Sequence, residues 1–188
     1  ESSKANMNST GIAFIPATAP EIHQELMVEL YGVEGAGNAT IADGVLQNFE
    51  DSYRNSIDGI DANNSVNHSE HSSIRSQVQQ VAVERKQTME QNDTTFLNFT
   101  GMKVQAYRFE VSASNLSQKT MHGFITDKYL GKKIPMNMEG VTVYDFTIVN
   151  IPGSYAADRF NIEFQTLNVL TVTFTSVKAT QTRNDVSV

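Results

Sequence analysis

Along most of this chain the apolar residues recur at every second position, not every third or fourth. That spacing puts one face of an extended strand toward a core and the other toward water. The cleanest run is 159–165, where Phe160, Ile162 and Phe164 alternate with Arg159, Asn161, Glu163 and Gln165. In 103–112, Tyr107, Phe109 and Val111 share a face opposite Val104, Ala106, Arg108, Glu110 and Ser112, which predicts the aromatic side as the buried one. In 141–149 both faces carry β-formers: Val141, Val143, Thr147 and Val149 on one, Tyr144, Phe146 and Ile148 on the other. That pattern predicts a central strand. Further strands are predicted at 11–15, 25–33, 45–49, 78–85, 95–99, 121–126 and 169–176.

Turn residues separate most of these runs, among them Pro16, Pro20, the stretch 35–38, Gly59, Gly131, Gly140, Pro152 and Gly153. In 92–99, Asn92 and Asp93 supply a turn, Phe96 and Asn98 share one face, and Leu97 and Phe99 share the other. Pro135 suits an edge strand or a strand start, since proline cannot donate to a ladder. Short strands at this spacing predict an all-β fold, an antiparallel β-sandwich of jelly-roll type, over residues 1–166. Residues 52–76 read as a long polar loop. Residues 167–188 read as a linker and the first strand or strands of an incomplete second domain, with a strand opening at Asp185.

Composition narrows the function classes. The 188 residues carry a net charge of −7, no Cys and no Trp, and only 19% charged residues, below the roughly 25% of an ordinary soluble domain. Ser, Thr, Asn and Gln supply the remaining polarity, a style common in secreted all-β proteins. With 14 Lys and Arg in an acidic chain there is no electrostatic footprint for nucleic acid. No run approaches the ~20 apolar residues of a membrane-spanning helix. The absence of Cys removes disulfides and thiol catalysis.

Candidate chemistry is sparse. Asp51, Asp58, Asp61 and Asn63 fall in one acidic stretch whose oxygens suit a calcium ion, although Asp58 and Asp61 also read as turn formers. The spacing is not that of an EF-hand, because Asp61-x-Asn63-x-Ser65 lacks the glycine and the closing Glu. His68, Glu70 and His71 form a metal-like trio that reads equally as a solvated loop. Tyr53 and Tyr129 lie in loop-like segments and are the candidates for stacking on a sugar ring, whereas Tyr107 and Tyr144 sit at strand positions and read as core. Asp158 and Arg159 are placed to tie a turn to a neighbouring strand. No nucleophile elbow, phosphate loop or His-Glu-x-x-His motif is present. The chain does not read as an enzyme.

Four blocks, DGVLQNFEDSYRNSIDGIDANN (43–64), VAVERKQTMEQNDTTFLNF (81–99), GFITDKYLGKKIPMNMEGVTVYDFTIVNIPGSYAADRFNIEF (123–164) and LTVTFTSVKATQTRNDVSV (170–188), resemble the C-terminal portion of large surface and secreted proteins of Bacteroidota that end in a type IX secretion sorting domain. The resemblance implies a β-rich module followed by the opening of an Ig-like or fibronectin-type-III-like domain. The sequence stops where that domain should begin, and no sorting domain follows, so the chain reads as a piece of a longer exported protein. The resemblance further implies a Gram-negative extracellular or cell-surface location. It implies export through the type IX translocon, the other domains of the same polypeptide as partners, and surface glycans as a candidate ligand. Asp93-Thr94-Thr95 resembles the O-glycosylation pattern of that phylum and marks Thr94 as an attachment site.

The expectation is a non-catalytic structural or adhesive module. The alternatives are a carbohydrate-binding module, with or without Ca2+, and a subunit that assembles by strand pairing.

Overall fold

The computed structural model describes residues 23–64, 69–75, 80–117, 121–166, 180–182 and 185–187. The strands predicted at 11–15 and 169–176 lie outside these residues. The described chain is all-β: β1 (Gln24–Val33), β2 (Ala39–Phe49), β3 (Ala62–Asn63), β4 (His71–Arg75), β5 (Gln80–Lys86), β6 (Thr94–Thr100), β7 (Ala106–Ser114), β8 (Met121–Asp127), β9 (Lys132–Pro135), β10 (Gly140–Thr147), β11 (Phe160–Thr166), β12 (Thr180–Thr182) and β13 (Asp185–Ser187). The last two form a hairpin of their own, with β13 beginning at Asp185.

The other strands make one 11-stranded sheet in the order β10-β7-β1-β2-β5-β4-β6-β11-β8-β9, with β3 alongside β5. The sheet curls so that its two halves face each other. Phe109 and Phe146 of the first half meet Phe160 of the second at ring-centroid distances of 4.8 and 4.7 Å, and Phe99 meets Phe109 at 5.0 Å. Such ring pairs add about 0.5–1.5 kcal/mol each beyond the area they bury. Leu26, Val28 and Leu30, Tyr107, Phe109 and Val111, and Phe160, Ile162 and Phe164 all turn into this core, as their period-2 spacing requires. Gly123 lets the core close under β8: a Cβ there would lie 2.7 Å from the Met138 sulfur.

Three features depart from the sequence reading. The sheet is not wholly antiparallel, because Leu46–Phe49 of β2 runs parallel to Val83–Lys86 of β5. A parallel neighbour needs a long crossover, and the polar stretch after β2 provides it. That stretch is not a loop throughout. It contains β3 and, more importantly, β4, which lies centrally between β5 and β6. Ser72, Ser73 and Ile74 are all buried, so β4 has no polar face to alternate with its apolar one. Finally, among the described residues β10 is an edge strand and not a central one: it pairs there with β7 alone, and Val141 and Val143 are 54% and 50% exposed.

Candidate functional site

The acidic stretch after β2 is organised by its own backbone. Asp58 Oδ1 accepts the Ile60 N–H at 3.0 Å. Asp61 Oδ2 accepts the Asp58 N–H at 2.8 Å, and its Oδ1 accepts the Arg85 N–H of β5 at 2.6 Å. The Asp61 carboxylate thus holds a turn against the sheet with both oxygens, while Asp51 is exposed and Asn63 sits on β3 opposite Val81. Among the described residues no three His, Asp or Glu side chains come together in a way that could hold a metal ion. Of the expected calcium ligands Asp51, Asp58, Asp61 and Asn63, the three carboxylates belong to no such group among the described residues, and those of Asp58 and Asp61 accept backbone N–H groups. Of the trio at 68–71, His68 lies outside the described residues. Glu70 faces Tyr107, and His71 faces Asp43 at 3.7 Å.

The same stretch packs on the β5–β6 connection. Asn55 and Gln87 exchange two hydrogen bonds, Asn55 Nδ2 donating to Gln87 Oε1 at 2.9 Å and the Gln87 N–H donating to Asn55 Oδ1 at 3.2 Å. Beside this pair opens a groove of about 350 Å³ lined by Asn55, Lys86, Thr88, Glu90, Gln91, Asn92 and Asp93. Asn92 adopts the left-handed conformation at φ 66°, which Asn tolerates better than most residues. Asp93 then pairs with Lys86 at 2.8 Å and accepts the Thr94 N–H. Thr94 is half-buried at the start of β6, next to the groove, whereas Thr95 turns inward and donates to Gln47. Tyr53 is half-buried in the turn before Asn55.

Three sets of polar side chains hold carboxylates that the fold buries or half-buries. Arg159 and Asp127, 2% and 0% exposed at their side chains, form a two-pronged ion pair with Nε–Oδ1 2.9 Å and Nη2–Oδ2 2.7 Å. Tyr144 Oη donates to Asp127 Oδ2 at 2.9 Å, the Leu130 N–H donates to Oδ1, and Arg159 Nη1 donates to the Ser154 carbonyl at 2.8 Å. Burial pushes the Asp127 carboxyl upward, but the hydrogen bonds from Arg159, Leu130 and Tyr144 outweigh it and hold the group below the usual carboxylate range. Burial and the Asp127 charge push the Tyr144 phenol up to about 12. Asp158, by contrast, pairs at the surface with Lys128 at 3.4 Å.

Tyr129 covers this centre. Its ring lies 4.9 Å from the Arg159 guanidinium, and a Cβ on Gly153 would come within 3.0 Å of it. One side of the ring is therefore engaged within the protein. A second matched set is Glu70, which accepts from Tyr107 Oη at 3.0 Å and pairs with Lys103 at 3.0 Å. Burial and the hydrogen bond to Glu70 push the Tyr107 phenol up to about 12. A third is Gln47, which donates to Glu84 and accepts from Thr95. Burial raises the Glu84 carboxyl above its ordinary value, and the Gln47 hydrogen bond offsets this only in part.

These sets were half legible in the sequence. The pattern singled out Arg159 but not its partner Asp127, which lies 32 residues away. Glu70 and Glu84 look like surface charges because only the fold brings a phenol or an amide to them.

The fold and these sets define a β-sheet module with a polar surface groove. Compared with protein-family models, with curated proteins and with solved structures, the chain matches none.

Proposed function

We propose that the chain is a non-catalytic structural or adhesive module of a large extracellular or cell-surface protein of a Gram-negative bacterium, exported by the type IX translocon as the block resemblance implies. One observation carries the non-catalytic part: the buried carboxylates Asp127 and Glu70 are paired within the fold with Arg159 and Lys103 and with the phenols of Tyr144 and Tyr107. Catalytic acids and bases ordinarily face a cleft with a perturbed group open to substrate. Here Asp127, Arg159 and Tyr144 join β8, β10 and β11 and serve the sheet. The Asn, Ser and Thr content and the absence of Cys and Trp agree with an exported spacer or adhesin part.

The test has two arms. The purified chain is offered to a panel of glycoside, ester and peptide substrates, where turnover would overturn the reading. The chain is also followed in the medium and the outer-membrane fraction of strains with and without the translocon. Retention inside the cell in both strains would remove the export half.

A second reading, a carbohydrate-binding module, rests on the groove beside Asn55. Its amide and hydroxyl side chains, with the Lys86–Asp93 pair, suit a hydroxyl-rich neutral ligand. A glycan-array signal abolished by Asn55→Ala together with Gln91→Ala would favour it. Unchanged binding in that variant would remove the groove as the site.

A further inference from the structure

The strand β10 hydrogen-bonds to β7 on one side and to no strand on the other among the described residues. Its inward-facing residues Gly140, Thr142 and Tyr144 stay partly exposed, as side chains do at a sheet margin with no neighbour. Its outward-facing Val141 and Val143 are more than half or half exposed. Unpaired N–H and C=O groups flanked by β-branched side chains are a template for another strand.

We propose that β10 is a self-association edge, and that two copies of this chain pair β10 with β10 in antiparallel fashion about a two-fold axis passing through Val143. This goes beyond the functional reading above and depends on nothing about export.

Three observations select a second copy as the occupant. First, the register is self-complementary. With Val143 facing Val143 of the partner subunit, Thr142 faces Tyr144 of the partner subunit, Val141 faces Asp145 of the partner subunit, and Gly140 faces Phe146 of the partner subunit. The valines of both copies then form one patch. Second, the charges do not oppose this. The only charge within 140–146 is Asp145, already held by Arg108 through Nε–Oδ1 at 2.7 Å and Nη2–Oδ2 at 3.0 Å. The register places no carboxylate opposite another, which matters in a chain of net charge −7.

Third, the far edge of the sheet is closed to the same chemistry. The strand β9 is short, exposes Lys132 and Lys133, and ends in Pro135, which has no N–H to give. A head-to-tail contact of β10 on β9 would build an open filament, whereas β10 on β10 closes at two copies. A single strand pair buries little, so the dimer is reversible and concentration-dependent.

Sedimentation velocity over a concentration series tests this, with three variants. The unmodified chain is expected to shift from monomer to dimer as concentration rises. Val143→Lys places two like charges face to face on the axis. It is expected to remain monomeric at concentrations at least tenfold higher, while its melting temperature stays within a few degrees of the parent.

The chain has no Cys, so a single introduced thiol reports proximity directly. Directly opposed residues of an antiparallel pair have Cα atoms about 4.5–5.5 Å apart, within disulfide reach. Val143→Cys is expected to form a disulfide-linked dimer at least tenfold faster than Val104→Cys, whose parent side chain is 66% exposed but lies off the strand. A chain that stays monomeric throughout, a Val143→Lys variant that dimerises as well as the parent, or equal cross-linking at the two positions would each overturn the proposal.

Discussion

The two margins of the sheet, β9 and β10, are built in opposite ways. The β9 margin spans Lys132–Pro135 and is guarded by two exposed lysines and a proline. Lys133 is also occupied, pairing with Glu163 at 2.7 Å and lying 5.1 Å over the Phe124 ring. The β10 margin spans Gly140–Thr147, carries Asp145 as its only charge, and exposes two valines. Natural sheets blunt their edges with charge, proline or shortness. One margin follows that rule in all three respects and the other only through Asp145. The difference teaches that an exposed apolar pair on a long edge deserves a functional question, which the same pair on a central strand would not raise.

The two margins also share an anchor. Asp127 ends β8 opposite Lys132 of β9, and it accepts the hydroxyl of Tyr144 from β10. The Asp127–Arg159 pair therefore pins both margins at one point. Removing one partner of a buried pair leaves an uncompensated charge, which costs about 3–5 kcal/mol. Arg159→Ala is accordingly expected to lower the unfolding free energy by about that amount in urea, and to reduce amide protection on β9 and β10 together. A loss confined to one margin would break the shared-anchor view.

Tyr144→Phe separates the margins. It removes only the hydrogen bond from β10 to the carboxylate, so the expected loss is about 1.5–3 kcal/mol, the range for a bond to a charged group. The change in amide protection should concentrate on β10 and spare β9. Equal change on both strands would show that Tyr144 is not specific to its own margin.

Opening the guarded margin is expected to cost less stability still. Lys132→Val with Lys133→Val removes the Glu163 pair, worth about 1 kcal/mol or less at a partly exposed site, but it leaves β9 free to pair. Species larger than a dimer should then appear in light scattering. Their absence would show that Pro135 and the shortness of β9 suffice as guards.

The smallest effect is expected away from both margins, at Glu84 on β5, and it is pH-dependent. Burial raises the Glu84 carboxyl in the folded chain, so the fold favours its protonated form. Glu84 therefore costs nothing below its unfolded value, and its cost grows as pH rises from there through the raised folded value. Glu84→Gln should stabilise the chain modestly at neutral pH and lose that advantage as the pH falls through the raised folded value to the unfolded one, below which the parent Glu is protonated in both states. Asp127 has the opposite sign. Its carboxyl is held low in the fold, so its contribution is complete above the unfolded value and disappears as pH falls through the folded one. If Glu84→Gln were destabilising at neutral pH, the carboxylate would be serving Gln47 as a required acceptor.

How much of this was legible beforehand varies by element. Phe160, Ile162 and Phe164, and Leu97 and Phe99, turn inward as their alternation requires, and Phe96 turns out. The turn at Asn92 and Asp93 is where the residue types place it, with Asn92 in the left-handed region. The strand β4 was hidden because Ser72 and Ser73 look polar while their positions are buried. The acidic stretch suggested a cation; what only the fold supplied is that the carboxylates of Asp58 and Asp61 accept backbone N–H groups. The groove beside Asn55 is built by residues 86–93 with Asn55 added across it, and of these the residue types marked only the turn at Asn92 and Asp93.

The sequence by itself determined that this is a β protein, which face of most strands is buried, and where several of the turns fall. Those are local properties, carried by the two-residue period and by Asn, Asp, Gly and Pro. Only the tertiary structure decided that Arg159 meets Asp127, that β2 and β5 run parallel, and that β10 lies at an edge. Each of these depends on which strands become neighbours. A strand with β-formers on both faces has the same pattern whether it has one neighbour or two, and among the described residues β10 has β7 alone beside it, with Val141 and Val143 on its outward face.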